Sequence, residues 1–146
     1  MKKILWLFSC LLISSVCLVT YAHSQADQYA QAESLFKDKR YDEVIRVLLE
    51  PASAEPGNFK LNILLAKAQI EKCARLKSKG DKSYKTLIYQ PYQKGRMLHK
   101  IDKTRPEPYY IVARSLLINN RPYKAERAIK KHFISTCQCR VFRCIR

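Results

Sequence analysis

Between Pro106 and Ile129 the chain reads PEPYYIVARSLLINNRPYKAERAI, and its apolar residues recur at helical spacing. Tyr109, Val112, Ala113, Leu116 and Leu117 share one stripe of a first helix. Asn119-Asn120-Arg121-Pro122 ends it, because proline has no N–H to extend a helix yet fits the first turn of the next one. Ala125, Ala128 and Ile129 stripe a second helix, and small residues at Ala113 and Ala125 let the two pack closely as an antiparallel hairpin. Sliding this stretch back along the chain lays Ala113 on Ala32, Leu116 on Leu35, Leu117 on Phe36, Ala125 on Val44 and Ile129 on Leu48. The hairpin is therefore written twice, with room for a third, enlarged unit between the copies.

The pattern predicts an all-α chain in three units, 25–58, 59–105 and 106–133, the middle one enlarged. In the first unit a helix over 27–37, with Asp27 as its N-cap, turns at Lys39-Arg40-Tyr41-Asp42. Its partner is striped by Val44, Ile45, Leu48 and Leu49 and stops in the stretch from Pro51 to Gly57. The second unit opens with Leu61, Leu64, Leu65 and Ala68 and runs on through Ile70, Cys73 and Leu76 to Gly80. Asp81 is placed to cap a short helical piece that Pro91 breaks. Tyr92 to Ile101 then forms the partner helix, with Met97, Leu98 and Ile101 facing inward. The last stretch, 134–146, is a basic, cysteine-rich tail without helical period.

These residues resemble the tetratricopeptide repeat, whose unit of about 34 residues runs W-x2-L-G-x2-Y, then A-x3-F, then P. The later copy supplies Tyr109-x2-Val112-Ala113-x2-Leu116 and Ala125-x3-Ile129, and the earlier one Ala32-x2-Leu35, Val44-x3-Leu48 and Pro56. Leu65-Ala66 fit the Leu-Gly pair in the middle unit. The resemblance implies a solenoid of helix hairpins whose first helices line a concave groove for a protein or peptide ligand. Carried across, the groove positions are Tyr29, Glu33, Phe36 and Lys37, then Lys60, Ile63 and Lys67, then Tyr110 and Arg114. The family's chaperone-tail-binding version has Lys and Asn where Tyr29 and Glu33 stand here, so that specificity does not carry over.

The N-terminal stretch, 1–22, is of another kind. Lys2 and Lys3 precede an apolar run from Ile4 to Val19, and a small residue for cleavage follows at Ala22, Ser24 or Ala26. This is the pattern of a cleaved secretory signal peptide, and its short basic start suits a bacterial periplasmic or secreted protein. No membrane span is then expected in the mature chain. Residues 23–58 hold 4 basic and 7 acidic residues, whereas residues 59–146 hold 22 basic and 5 acidic. So lopsided a field attracts anions, with Lys79, Lys82 and Lys85 as candidate contacts. Basic residues interleaved with Tyr84, Tyr89 and Tyr92 also suit nucleic acid, but for an exported chain an anionic envelope polymer ranks above it.

Cys10 and Cys17 leave with the signal peptide, and Cys73, Cys137, Cys139 and Cys144 remain. Exported, they are open to disulfide pairing in any of three ways, and the C-x-C-x4-C spacing of the tail matches no standard zinc ribbon. The three histidines, His23, His99 and His132, stand in no triad order and no H-E-x-x-H, and no glycine-rich phosphate loop occurs. Neither catalysis, a metal nor a cofactor is expected. The reading is an exported interaction scaffold for cell-envelope complexes, with a basic module for anionic polymer or nucleic acid as the alternative.

Overall fold

A computed structural model describes residues 26–130, and these are helical throughout, without a strand. The expected signal peptide and the tail at 134–146 lie outside the described residues. Within the described chain, seven helical segments follow one another: α1 (26–37), α2 (Tyr41–Ala54), α3 (Phe59–Ser78), α4 (Tyr84–Leu87), α5 (Tyr89–Ile101), α6 (Glu107–Ile118) and α7 (122–130). None of the described helices is long and apolar enough to cross a membrane.

Three of these helices end in the same turn. Lys39, Gly80 and Asn120 have positive φ (59°, 77° and 57°), and each is followed by a residue whose N–H reaches back five positions. The bonds are Arg40 N to Leu35 O (2.9 Å), Asp81 N to Leu76 O (3.0 Å) and Arg121 N to Leu116 O (2.8 Å). Each is paired with a shorter-range bond, from Lys39 to Phe36, Gly80 to Lys77 and Asn120 to Leu117. This is the Schellman termination, which satisfies otherwise orphaned carbonyls at a helix end. It turns the chain back at the ends of α1, α3 and α6, so three hairpins recur along the sequence.

The small-residue contacts follow the sequence pattern. Ala32 and Val44 share one buried cluster, and Ala113 and Ala125 share another. Between the outer hairpins runs α3, buried on two sides. Leu61, Leu64, Leu65 and Ala68 pack with Ala32, Val44, Leu48 and Ala52, while Ala66, Ile70 and Cys73 pack with Tyr84, Ile88, Ile111 and Ile118. Asn62, wholly buried, ties the α2–α3 loop to α5. Its amide donates to Glu55 O and Asn58 O (both 2.9 Å), and its Oδ1 accepts from Lys94 Nζ at 2.8 Å. Burial pulls the Lys94 ammonium below its usual range, a cost the Asn62 bond offsets.

Several expectations need correction. α2 continues through Pro51 to Ala54, because Ala52 is buried in the α1–α3 cluster and packing outweighs the lost hydrogen bond. The helix already includes Asp27, so this residue lies within α1 and does not cap it. Asp81 Oδ1 instead accepts from Ser83 N at 2.8 Å, bracing the turn before α4. Pro91 does not break a helix; it sits in the first turn of α5, where no N–H is required, and the break falls at Ile88. Of the inward residues expected on α5 only Leu98 is fully buried, Met97 is half-buried, and Ile101 is 51% exposed. Leu117 and Ile129 are also exposed (48% and 41%), although their counterpart positions include the fully buried Leu48. The reason is neighbourhood: α3 covers Leu48, and no described helix covers Ile129.

The closest approach of α5 to α6 is set by Gly95. A Cβ there would lie 2.8 Å from Ile111 Cγ2, 3.0 Å from Val112 Cγ2 and 3.1 Å from the carbonyl oxygen of Pro108. The side chains could shift, but the backbone carbonyl cannot without moving α6. Gly95→Ala is expected to lower stability by about 1–3 kcal/mol in urea unfolding, despite alanine's better helix propensity. A neutral or stabilising result would show that α5 and α6 are not so closely packed.

Candidate functional site

Three adjoining hollows lie along α1, α3 and α6, the last reaching α7. The central one, about 510 Å3, is lined by Phe36, Lys67, Ile70, Glu71, Pro106, Glu107 and Tyr110. The second shares Lys67 and Glu107 with it and adds Tyr29, Lys60, Ile63 and Arg105. The third shares Pro106 and Tyr110 and adds Ala113, Arg114, Leu117 and Ile129. Shared walls make these one groove, reached by first helices from all three hairpins. Helical spacing explains the lining: Lys60, Ile63 and Lys67 follow at three- and four-residue steps along one face of α3, and Ile70 and Glu71 lie three and four residues beyond Lys67.

Of the nine groove residues expected from sequence, the structure brings together seven: Tyr29, Phe36, Lys60, Ile63, Lys67, Tyr110 and Arg114. Glu33 and Lys37 do not line these hollows; they face each other along α1 at 3.9 Å as an exposed pair. Ile70, Glu71, Arg105, Pro106 and Glu107 are additions that sequence reasoning missed. Ile70 and Glu71 were findable, since they continue the Ile63–Lys67 face by one more turn. Arg105 and Glu107 belong to the α5–α6 junction, and only folding places them beside α3.

The groove is apolar at its base and charged along its sides. Arg114 Nη2 lies 3.5 Å from Glu71 Oε1, joining α6 to α3. The Arg105 guanidinium stacks 4.6 Å from the centre of the Phe59 ring, which holds it at one end of the groove. Glu107 Oε2 and Arg114 Nε are buried without a hydrogen-bond partner among the described residues. Burial first, and the neighbouring Glu33 carboxylate second, push the Tyr29 phenol up, so it stays a neutral hydroxyl. Such a surface offers apolar contact to a chain segment and hydrogen bonds to its polar groups.

The candidate anion contacts differ in setting. Lys79 and Lys82 stand exposed at the α3–α4 turn, whereas Lys85, in α4, lines a cleft that neither of them lines. His99 is half-buried with its ring 4.5 Å from that of Tyr109. Among the described residues no group of His, Cys, Asp and Glu is arranged to hold a metal ion. No family model, curated protein or solved structure matches the chain.

Cys73 is a free thiol buried in the α3 core, and the cysteines of the tail lie outside the described residues. Burial pushes its pKa up to about 11, against a smaller opposite pull from Lys72. The shift has no effect on stability below about pH 9 and weakens the fold as pH rises from there toward 11. Because the thiolate is the nucleophile, Cys73 should escape iodoacetamide at pH 8 in the folded protein and react once urea unfolds it. Peptide mapping of the alkylated chain checks this, and rapid native labelling of Cys73 would contradict its burial.

Proposed function

We propose that this chain is an exported interaction scaffold of the tetratricopeptide type, holding a segment of another protein in the groove between α1, α3 and α6. The observation that carries this reading is the convergence of Tyr29, Phe36, Lys60, Ile63, Lys67, Tyr110 and Arg114, from three helices, on one continuous groove. Repetition supports it as well: three hairpins closed by the same turn, at the nearly evenly spaced Lys39, Gly80 and Asn120, are the construction of a helical-repeat array. The basic, then apolar, then small-residue pattern over 1–22 supports export, and with it a role in assembling or maintaining envelope complexes. A fold of this kind does not define its ligand, so the partner is proposed by its chemistry. It is an extended or helical protein segment with apolar anchors for Phe36, Ile63 and Tyr110, and polar groups for Lys67, Glu107 and Arg114.

Capture from bacterial envelope extract by the full chain, in low and in high salt, tests the reading. One defined protein should remain bound in high salt, because the apolar contacts are not screened. Tyr110→Ala should weaken its capture tenfold or more, and Lys82→Gln should leave it unchanged. Equal loss with both variants would refer the binding to general charge and sink the groove proposal.

A further inference from the structure

Away from the groove, a cleft of about 240 Å3 opens between α4, the start of α5, the end of α6 and the start of α7. Lys85, Tyr89, Tyr92, Ser115, Asn119, Arg121 and Lys124 supply its polar and aromatic lining, over Ile88 and Leu116. No acidic residue lines it, and none of the three cations forms an ion pair among the described residues. Lys85 reaches the cleft from the middle hairpin, and Arg121 and Lys124 from the last one. Folding has thus concentrated positive charge in one concave place without a counter-charge.

Helix ends add to this field. Tyr89 and Tyr92 lie in the first turn of α5, which holds no acidic residue, and Arg121 and Lys124 flank the start of α7. A helix start carries a partial positive charge and is stabilised by anions, so a cation there is unfavourable unless something negative joins it. The aromatic pair suggests what accompanies the charge. The Tyr89 and Tyr92 rings are 6.3 Å apart; Arg96 sits 5.9 Å from the centre of the Tyr92 ring, while Tyr89 is 61% exposed. A flat ring can lie on Tyr89 while a phosphate attached to it enters the cleft.

We propose that this cleft binds a phosphate ester carrying a flat ring, the chemistry of a nucleotide, either free or within a single strand. The cleft does not depend on the groove, and its ring contacts favour a nucleotide over the bare anionic polymer that the expected export ranks above it. Lys79 and Lys82, equally basic and close in sequence to Lys85, take no part.

Binding of thymidine monophosphate and of a short oligothymidylate to the full chain tests this at low and at raised NaCl, with inorganic phosphate and heparin as comparisons. Either nucleotide probe should bind at the lower salt and weaken as salt rises, and the monomer arm tells a free nucleotide from a strand. Tyr89→Ala should weaken binding by roughly tenfold, the loss of one stacked base. Arg121→Gln and Lys124→Gln should each reduce the salt slope for the oligonucleotide by about one. Lys79→Gln should change nothing, and all four variants should keep the wild-type helical circular dichroism. The proposal is overturned if neither nucleotide probe binds at the lower salt, or if Lys79→Gln costs as much as Arg121→Gln. Phosphate or heparin binding as tightly as the nucleotides, with no effect of Tyr89→Ala, would overturn it too.

Discussion

Burial of α3 on two sides is the constraint on which the rest of the structure depends. A surface helix turns one stripe to the core; α3 commits Leu61, Leu64, Leu65 and Ala68 to the first hairpin and Ala66, Ile70 and Cys73 to the elements after it. Polar residues on such a helix must find partners inside the protein. Asn62 finds the α2–α3 loop and Lys94, and Gln69 Nε2 donates to Gln90 Oε1 at 3.2 Å. These bonds anchor α5 to α3, and Gly95 lets α6 come close to α5 in turn. The third helix wall of the groove is thereby positioned by contacts that begin on the far side of α3.

The groove and the cleft follow from one geometry. Helices that end in a Schellman turn return the chain toward its start, so α1, α3 and α6 share one role and their partners another. The proposed protein-binding surface uses the former set. The proposed phosphate site uses the α4–α5 junction and the start of α7, where the second helices of the later hairpins begin. A single short chain can in this way offer two chemically different surfaces, one apolar with charges of both signs, the other basic and aromatic.

Sequence showed the outer hairpins clearly, because alanines at Ala32, Ala113 and Ala125 leave room for a neighbouring helix and Asn119-Asn120-Arg121-Pro122 marks a sharp stop. Most of the groove residues were legible for the same reason: fixed helical spacing carries a face from one copy to the next. The middle unit was harder. The stripe that marks α3 is legible, but its second buried face is not, and the buried Asn62 and Gln69 look like surface residues. Proline is ambiguous in sequence, since Pro51 and Pro91 lie within helices while Pro56 follows the end of one. Exposure of Leu117 and Ile129 depends on which neighbours exist, which no local pattern states. The cleft was illegible for a different reason: Lys85 is joined by Arg121 and Lys124, not by the lysines beside it in the chain.

If α3 is the shared wall, the hairpins on its two sides cannot be independent. Leu65, wholly buried against the first hairpin, provides the most direct test. Leu65→Ala should cost about 2–5 kcal/mol, and hydrogen exchange in the folded protein reports where that loss is felt. With α3 as a shared wall, the amides of α2 and of α6 should lose protection by the same free energy, because both unfold with α3. Loss confined to α2, with α6 protected as before, would show two separable halves and contradict it.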